Sequence, residues 1–142
     1  MTTEHTNPDI LVVDDSFEDA ELTLRVLKKD NLIQKGLHLH DGEQALQYLF
    51  SEEFEARPRL IVLDIEMPRV NGIEVLRRIK SDPTKMYIPV VMMSSSSHER
   101  HVEESYRLGV NGYVIKHTNY EKFKNEITWL GKYWLQTNYS PS

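Results

Sequence analysis

The 142-residue sequence contains no cysteine. Disulfide frameworks, cysteine-ligated zinc, iron–sulfur clusters and thiol nucleophiles are excluded, and a reducing compartment is compatible. Long apolar runs are missing too. The clearest, Ile10–Val13 and Leu60–Leu63, are four residues each, against the roughly 20 a membrane helix needs. Residues 1–8 are polar and acidic, without the basic start and apolar centre of a signal peptide, so a cytoplasmic protein with no membrane partner is expected. There is no basic surplus. Seventeen Lys plus Arg against 22 Asp plus Glu give a net charge of −5, which opposes nonspecific nucleic-acid binding. No helix-turn-helix or basic region follows the last expected helix, so no nucleic-acid partner is expected. Neither a dinucleotide fingerprint nor a Walker A loop occurs. Gly and Pro number six each, too few for a collagen-like or low-complexity chain. With 39% hydrophobic and 27% charged residues, the composition is that of a globular domain. One domain over 1–142 is expected, with frayed tails at 1–8 and 137–142 and no output domain.

What is present is a regular alternation. Ile10–Val13, Leu60–Leu63 and residues 90–93 are continuous apolar runs rich in Val, Ile, Leu and Met, suited to strands buried on both faces. Weaker strands fit at 37–40 and 113–115. Helical spacing lies between them, as in Ala20, Leu24 and Leu27. Ser16 with Asp19, Asp41 with Gln44, Asn71 with Glu74, Ser96 with Glu99, and Thr118 with Glu121 each resemble a capping box. Five such starts after five strand candidates give five βα units. Right-handed crossovers then assemble a five-stranded parallel α/β sheet with helices on both faces.

Ligands of open α/β sheets bind beyond the carboxyl ends of the strands. Those ends carry Asp14 and Asp15 after the first strand, Asp64 after the third, Ser94 after the fourth and Lys116 after the fifth. Asp41, after the second, is explained as a helix cap. Crowded carboxylates raise one another's pKa unless a cation intervenes, and a hard divalent ion such as Mg²⁺ suits oxygen ligands. A carboxylate can also attack phosphorus and form an acyl phosphate, a transfer governed by positioning and charge neutralisation. In that chemistry Asp15 shares Mg²⁺ with a phosphoryl oxygen, Lys116 pairs with another, and the Ser94 hydroxyl donates to a third. Any one of these residues alone is better read as a turn, cap or solvated residue. Their joint placement favours function.

The same residues resemble the receiver domain of two-component response regulators. The resemblance rests on ILVVDD at 10–15, IVLDIEMPRVNG at 61–72, IPVVMMS at 88–94 and GYVIK at 112–116. It implies a flavodoxin-like, doubly wound sheet of order 2-1-3-4-5 with five helices. It also implies Asp64 as phospho-acceptor, with Asp14, Asp15, Asp64 and the Glu66 backbone carbonyl around Mg²⁺. Ser94 and Tyr113 become the switch, and Lys116 a phosphoryl contact. A sensor histidine kinase is the implied donor. The short form, the serine run at 94–97 and the aromatic last helix are most similar to regulators of cyanobacterial phytochromes, so a phytochrome-type kinase is expected. Signalling then passes by protein–protein contact to an unknown downstream protein. Enzymatic activity is confined to Mg²⁺-dependent self-phosphorylation and slow autodephosphorylation.

Two positions depart from the family pattern. His117 follows Lys116 where the family usually has proline, and a cis bond without proline costs about 2.5–4 kcal/mol, so either a trans bond or a strained exception is expected. Glu66 is acidic where many receivers carry another polar residue, and a solvated side chain is its simpler explanation. Elsewhere, His98 and His101 have helical metal spacing but no third ligand, and an edge strand accounts for His38 and His40. In the last helix Phe123, Ile127, Leu130 and Trp134 form a core stripe. Trp129 and Tyr133 form a second, either capping the core or serving as a homodimer or kinase-docking surface. Two rival functions are an aspartyl-phosphate phosphatase acting on small molecules, for which no substrate pocket is expected, and a flavodoxin-like cofactor binder. In the latter, Asp14 and Asp15 would repel a flavin phosphate.

Overall fold

A computed structural model describes residues 7–52, 54 and 58–141. Strands β1 (Ile10–Val13), β2 (Gly36–Leu39), β3 (Leu60–Leu63), β4 (Val90–Ser94) and β5 (Gly112–Ile115) alternate with helices α1 (Phe17–Lys29), α2 (Gly42–Leu49), α3 (Gly72–Lys80), α4 (Glu99–Arg107) and α5 (Tyr120–Lys132). The sheet order is β2-β1-β3-β4-β5, with every pairing parallel, as the sequence implied. No described helix is long and apolar enough to cross a membrane.

Side chains alternate across a strand, so a continuous apolar run serves two cores. Ile10, Val12, Leu60, Val62, Val91 and Met93 pack against α1 and α5, through Leu27, Phe123, Ile127 and Leu130. Leu11, Val13, Ile61, Leu63, Val90 and Met92 face the other way, onto Ala45 and Leu49 of α2 and Leu76 and Ile79 of α3. The edge strands β2 and β5 are only half-buried, which explains their weaker signal and the one-residue shift of their starts to Gly36 and Gly112.

Three caps form as the sequence predicts. Ser16, Asp41 and Asn71 accept from the backbone N–H of Asp19, Gln44 and Glu74. Two do not. Helix α5 is capped by Asn119, which accepts from the Lys122 N–H, rather than by Thr118. Helix α4 starts after His98 with no side-chain cap. Instead, the serine run turns the chain after β4: Ser94 Oγ accepts from the Ser96 N–H, and Ser96 Oγ from the His98 N–H.

Residues Tyr133–Thr137 continue α5 as a π-helical turn. The wider turn shifts the helical phase by about one residue. Leu135 therefore enters the core at 2% exposure, while Trp134, expected in the buried stripe, is half-buried. Beyond it, 138–141 line a cavity of about 410 Å³ with Pro58, Tyr87 and Trp134. Residues 1–6 and 142, part of the expected tails, lie outside the described residues; Pro8 is buried.

Two details fix the ends of the sheet. At the N-terminal edge, the Lys80 ammonium donates to the carbonyls of Met86 and Ile88 and to Asn111 Oδ1, at 2.9–3.0 Å. The same Asn111 oxygen accepts from the Val90 N–H, so one lysine and one amide tie α3 to the starts of β4 and β5. At the opposite edge, the Gly72 N–H donates to the Ile65 carbonyl at 2.9 Å. A methyl group on Gly72 would lie 2.1 Å from the Asp64 carbonyl oxygen, so the β3–α3 loop closes only over glycine.

Candidate functional site

Strand register brings the predicted residues to one level. Val13 pairs with both Leu39 and Leu63, and Ser94 with Ile115. The ladder continues into the site: Asp14 N–H donates to Leu39, Asp64 N–H to Val13, and Lys116 N–H to Ser94. Asp14, Asp64 and Lys116 therefore project from backbone held by the sheet.

Asp14 and Asp64 are buried, at 4% and 6% exposure, while Asp15 is exposed. One carboxylate oxygen from each lies within 4.8 Å of the other two. Such a set of hard oxygen donors suits a divalent cation. Glu66, two residues past Asp64, has an exposed side chain that is not among these converging carboxylates. The Lys116 ammonium lies 2.9 Å from Asp14 Oδ2 and 3.4 Å from Asp64 Oδ2. The Lys116–His117 bond is trans, the unstrained one of the two alternatives.

Burial and the neighbouring Asp14 charge push the Asp64 carboxyl up to about 6, although Lys116 opposes them. Asp14 is raised by burial, again against the pull of Lys116. Burial works to lower the Lys116 pKa, but the Asp64 charge and the Asp14 hydrogen bond outweigh it and raise the ammonium above its ordinary value. One cation thus only partly neutralises two buried anions, and the surplus negative charge disposes the site towards a second cation.

Ser94 is fully buried at the end of β4. The Tyr113 hydroxyl donates to the Ser96 carbonyl at 2.8 Å, linking the half-buried β5 ring to the turn after Ser94. Trp129 and Tyr133 are not part of this site. They stand 63% and 50% exposed on the outer face of α5 and its extension, which sets aside the alternative that they cap the core. The His98 and His101 rings lie tilted against each other with centroids 5.6 Å apart, and the His101 ring bonds Ser96 Oγ. Among the described residues no metal-ligating group of three includes them.

Two contacts went unseen in the sequence. Asp19 Oδ2 is 2.9 Å from the Lys116 ammonium, a third carboxylate partner. Its capping-box position concealed this, yet a residue one turn into α1, beside the β1 terminus, faces the strand ends. The second is His38, whose ring N–H donates to the Asp14 carbonyl at 2.7 Å from the edge strand. Alternation along β2 could have placed it there.

A sheet of this order with three aspartates and a lysine at its strand ends matches the receiver-domain arrangement that the sequence motifs resemble. The chain belongs to the response regulator receiver domain family, whose model matches residues 10–128. Among its relatives is response regulator Rcp1 of Synechocystis sp., 37% identical over 131 residues, 90% of this chain and 89% of Rcp1. The Mn²⁺-bound form of Rcp1 superposes with a TM-score of 0.87, covering 94% of this chain and 98% of that one. The phosphorylated cyanobacterial phytochrome response regulator RcpA is 34% identical with a TM-score of 0.89, covering 96% and 99%. The protein is thus a response regulator related to those of the phytochromes.

Proposed function

We propose that this receiver takes a phosphoryl group on Asp64 from a phytochrome-type sensor histidine kinase and passes the signal on by protein contact. The observation that carries the reading is the convergence of Asp14, Asp15 and Asp64 within 4.8 Å, with the Lys116 ammonium 3.4 Å from Asp64. An Asp64 carboxylate oxygen attacks the phosphorus of a phosphohistidine. The P–N bond breaks, the imidazole leaves, and an acyl phosphate forms on Asp64; water later returns the carboxylate and inorganic phosphate. Asp14, Asp15, Asp64 and the Glu66 backbone carbonyl would hold Mg²⁺. When bound, Mg²⁺ supplies neutralisation of the carboxylates and the incoming phosphoryl oxygens. Lys116 and the Ser94 hydroxyl contact the remaining phosphoryl oxygens. Movement of Ser94 towards the phosphoryl group releases the turn held by Tyr113, so the ring reports the phosphorylated state.

Rcp1 with Mn²⁺ and phosphorylated RcpA support the cation and the modification by likeness. The exposed Trp129 and Tyr133, four residues apart on one face of α5 and its extension, support a homodimer surface there. A cytoplasmic location and an unidentified downstream protein complete the reading. Intact mass after incubation with Mg²⁺ and a small acyl phosphate tests the chemistry. One added phosphoryl group in wild type, absent in Asp64→Asn and after chelation, is expected; equal gain in Asp64→Asn would overturn the assignment.

A further inference from the structure

The Lys116 ammonium has three hydrogens and three carboxylate neighbours: Asp14 and Asp19 at 2.9 Å and Asp64 at 3.4 Å. These come from the end of β1, the first turn of α1 and the end of β3. Asp19 differs from the other two. Its carboxylate is not in the group that converges for a cation, and its side chain is 34% exposed, against 6% for Asp14 and 8% for Asp64. A divalent ion on Asp14, Asp15 and Asp64 therefore competes with the ammonium at two of its three acceptors and leaves the third free to hold it. A lysine head at 11% exposure deprived of all three would carry its desolvation penalty unrelieved. With Asp19 in place it keeps a charge-assisted hydrogen bond.

The backbone at Asp19 is fixed independently of its charge. Its N–H donates to Ser16 Oγ at 3.2 Å, and its carbonyl accepts from the Thr23 hydroxyl at 2.8 Å. The carboxylate is thus presented to Lys116 from a braced turn, and replacing it by an amide leaves both braces intact.

We propose that Asp19 is the positioning residue for Lys116: it retains the ammonium at the pocket wall when a divalent cation occupies Asp14, Asp15 and Asp64. This rests on the cation site proposed above. Asp19 thereby lowers the barrier to exchanging one positive charge for another, and keeps the lysine within reach of an arriving phosphoryl group.

The test is direct Mn²⁺ binding, read from the free-ion electron paramagnetic resonance signal, with no phosphoryl transfer required. Asp19→Asn is expected to weaken Mn²⁺ binding about three- to tenfold, the scale of one partly exposed ion pair. Asp19→Glu is expected to restore most of the affinity. In a Lys116→Met background, Asp19→Asn is expected to change affinity by less than about twofold, because its effect passes through the lysine. Should Lys116→Met not fold, Lys116→Gln supplies the same charge-free background for the comparison. Unchanged affinity in Asp19→Asn overturns the inference alone, and so does an equal loss with Lys116 absent, which would mean that Asp19 acts on the ion directly. Absence of Mn²⁺ binding by wild type overturns the cation site and this inference together. A role confined to the helix start would lower the unfolding midpoint of Asp19→Asn and leave Mn²⁺ affinity unmoved.

Discussion

Lys80 and Lys116 both commit three ammonium hydrogens to the protein, at opposite edges of the same sheet, but to acceptors of different kinds. Lys80 meets two carbonyls and an amide, all neutral, and burial pushes its pKa down to about 8. Lys116 meets three carboxylates, whose charges raise its pKa despite burial. The first arrangement is satisfied as it stands and holds α3, β4 and β5 together. The second leaves negative charge uncompensated and so retains an affinity for further cations. Burial alone does not distinguish a staple from a working site. The charge of the partners does.

Mutations can break that contrast at either end. The largest effect is expected at Asp64, where Asn abolishes phosphoryl uptake by intact mass. It also relieves a buried charge. Because the folded carboxyl is pushed up to about 6 from its usual 3.8, the native state binds this proton more tightly than the unfolded chain does. The native state therefore gains stability from this group as pH falls from about 6 towards 4, and loses it as pH rises. Metal-free Asp64→Asn is accordingly expected to be more stable than wild type at pH 7 by on the order of 1–3 kcal/mol in urea unfolding. The gap should close at pH 4.5, and Mg²⁺ should stabilise wild type alone.

Next is Lys116→Met, which leaves Asp14 and Asp64 buried without their cation. A loss of about 2–3 kcal/mol is expected at pH 7 without metal, recovered by Mg²⁺ or at pH 5. Lys80→Met sharpens the comparison. It is expected to lose about 1–2 kcal/mol through its unpaired acceptors, with no recovery by cation or acid and with phosphoryl uptake retained. Recovery of Lys80→Met by Mg²⁺ would erase the distinction between the two lysines. The smallest stability effect, under about 0.5 kcal/mol, is expected for Trp129→Ala with Tyr133→Ala on the exposed face of α5. Sedimentation should show those substitutions dissociating any dimer that wild type forms.

The contrast also explains what could be read from the sequence. Strands β1, β3 and β4 are buried on both faces, so each appears as an apolar run, and the polar residue that ends the run is a candidate site residue almost by position. Asp14, Asp15, Asp64 and Ser94 were legible for that reason. Lys116 was legible through β5, although this edge strand and β2 gave weaker patterns and shifted boundaries. Asp19 was hidden because one sequence pattern served two purposes. The spacing from Ser16 satisfied a helix start, while the contact to Lys116 spans about two-thirds of the chain and leaves no local trace. The π-helical turn was missed likewise, since a fixed helical period assigns burial to Trp134 and cannot anticipate the phase change that buries Leu135.

The close approach at Gly72 bears on how this protein can vary. Position 72 offers no functional group, yet the smallest added side chain would collide with the carbonyl of the proposed phospho-acceptor. Random mutagenesis scored for lost signalling should therefore recover alanine or serine at 72 beside changes at Asp64. A lineage drifting neutrally would find that glycine as closed to substitution as the aspartate, for want of space rather than for its chemistry.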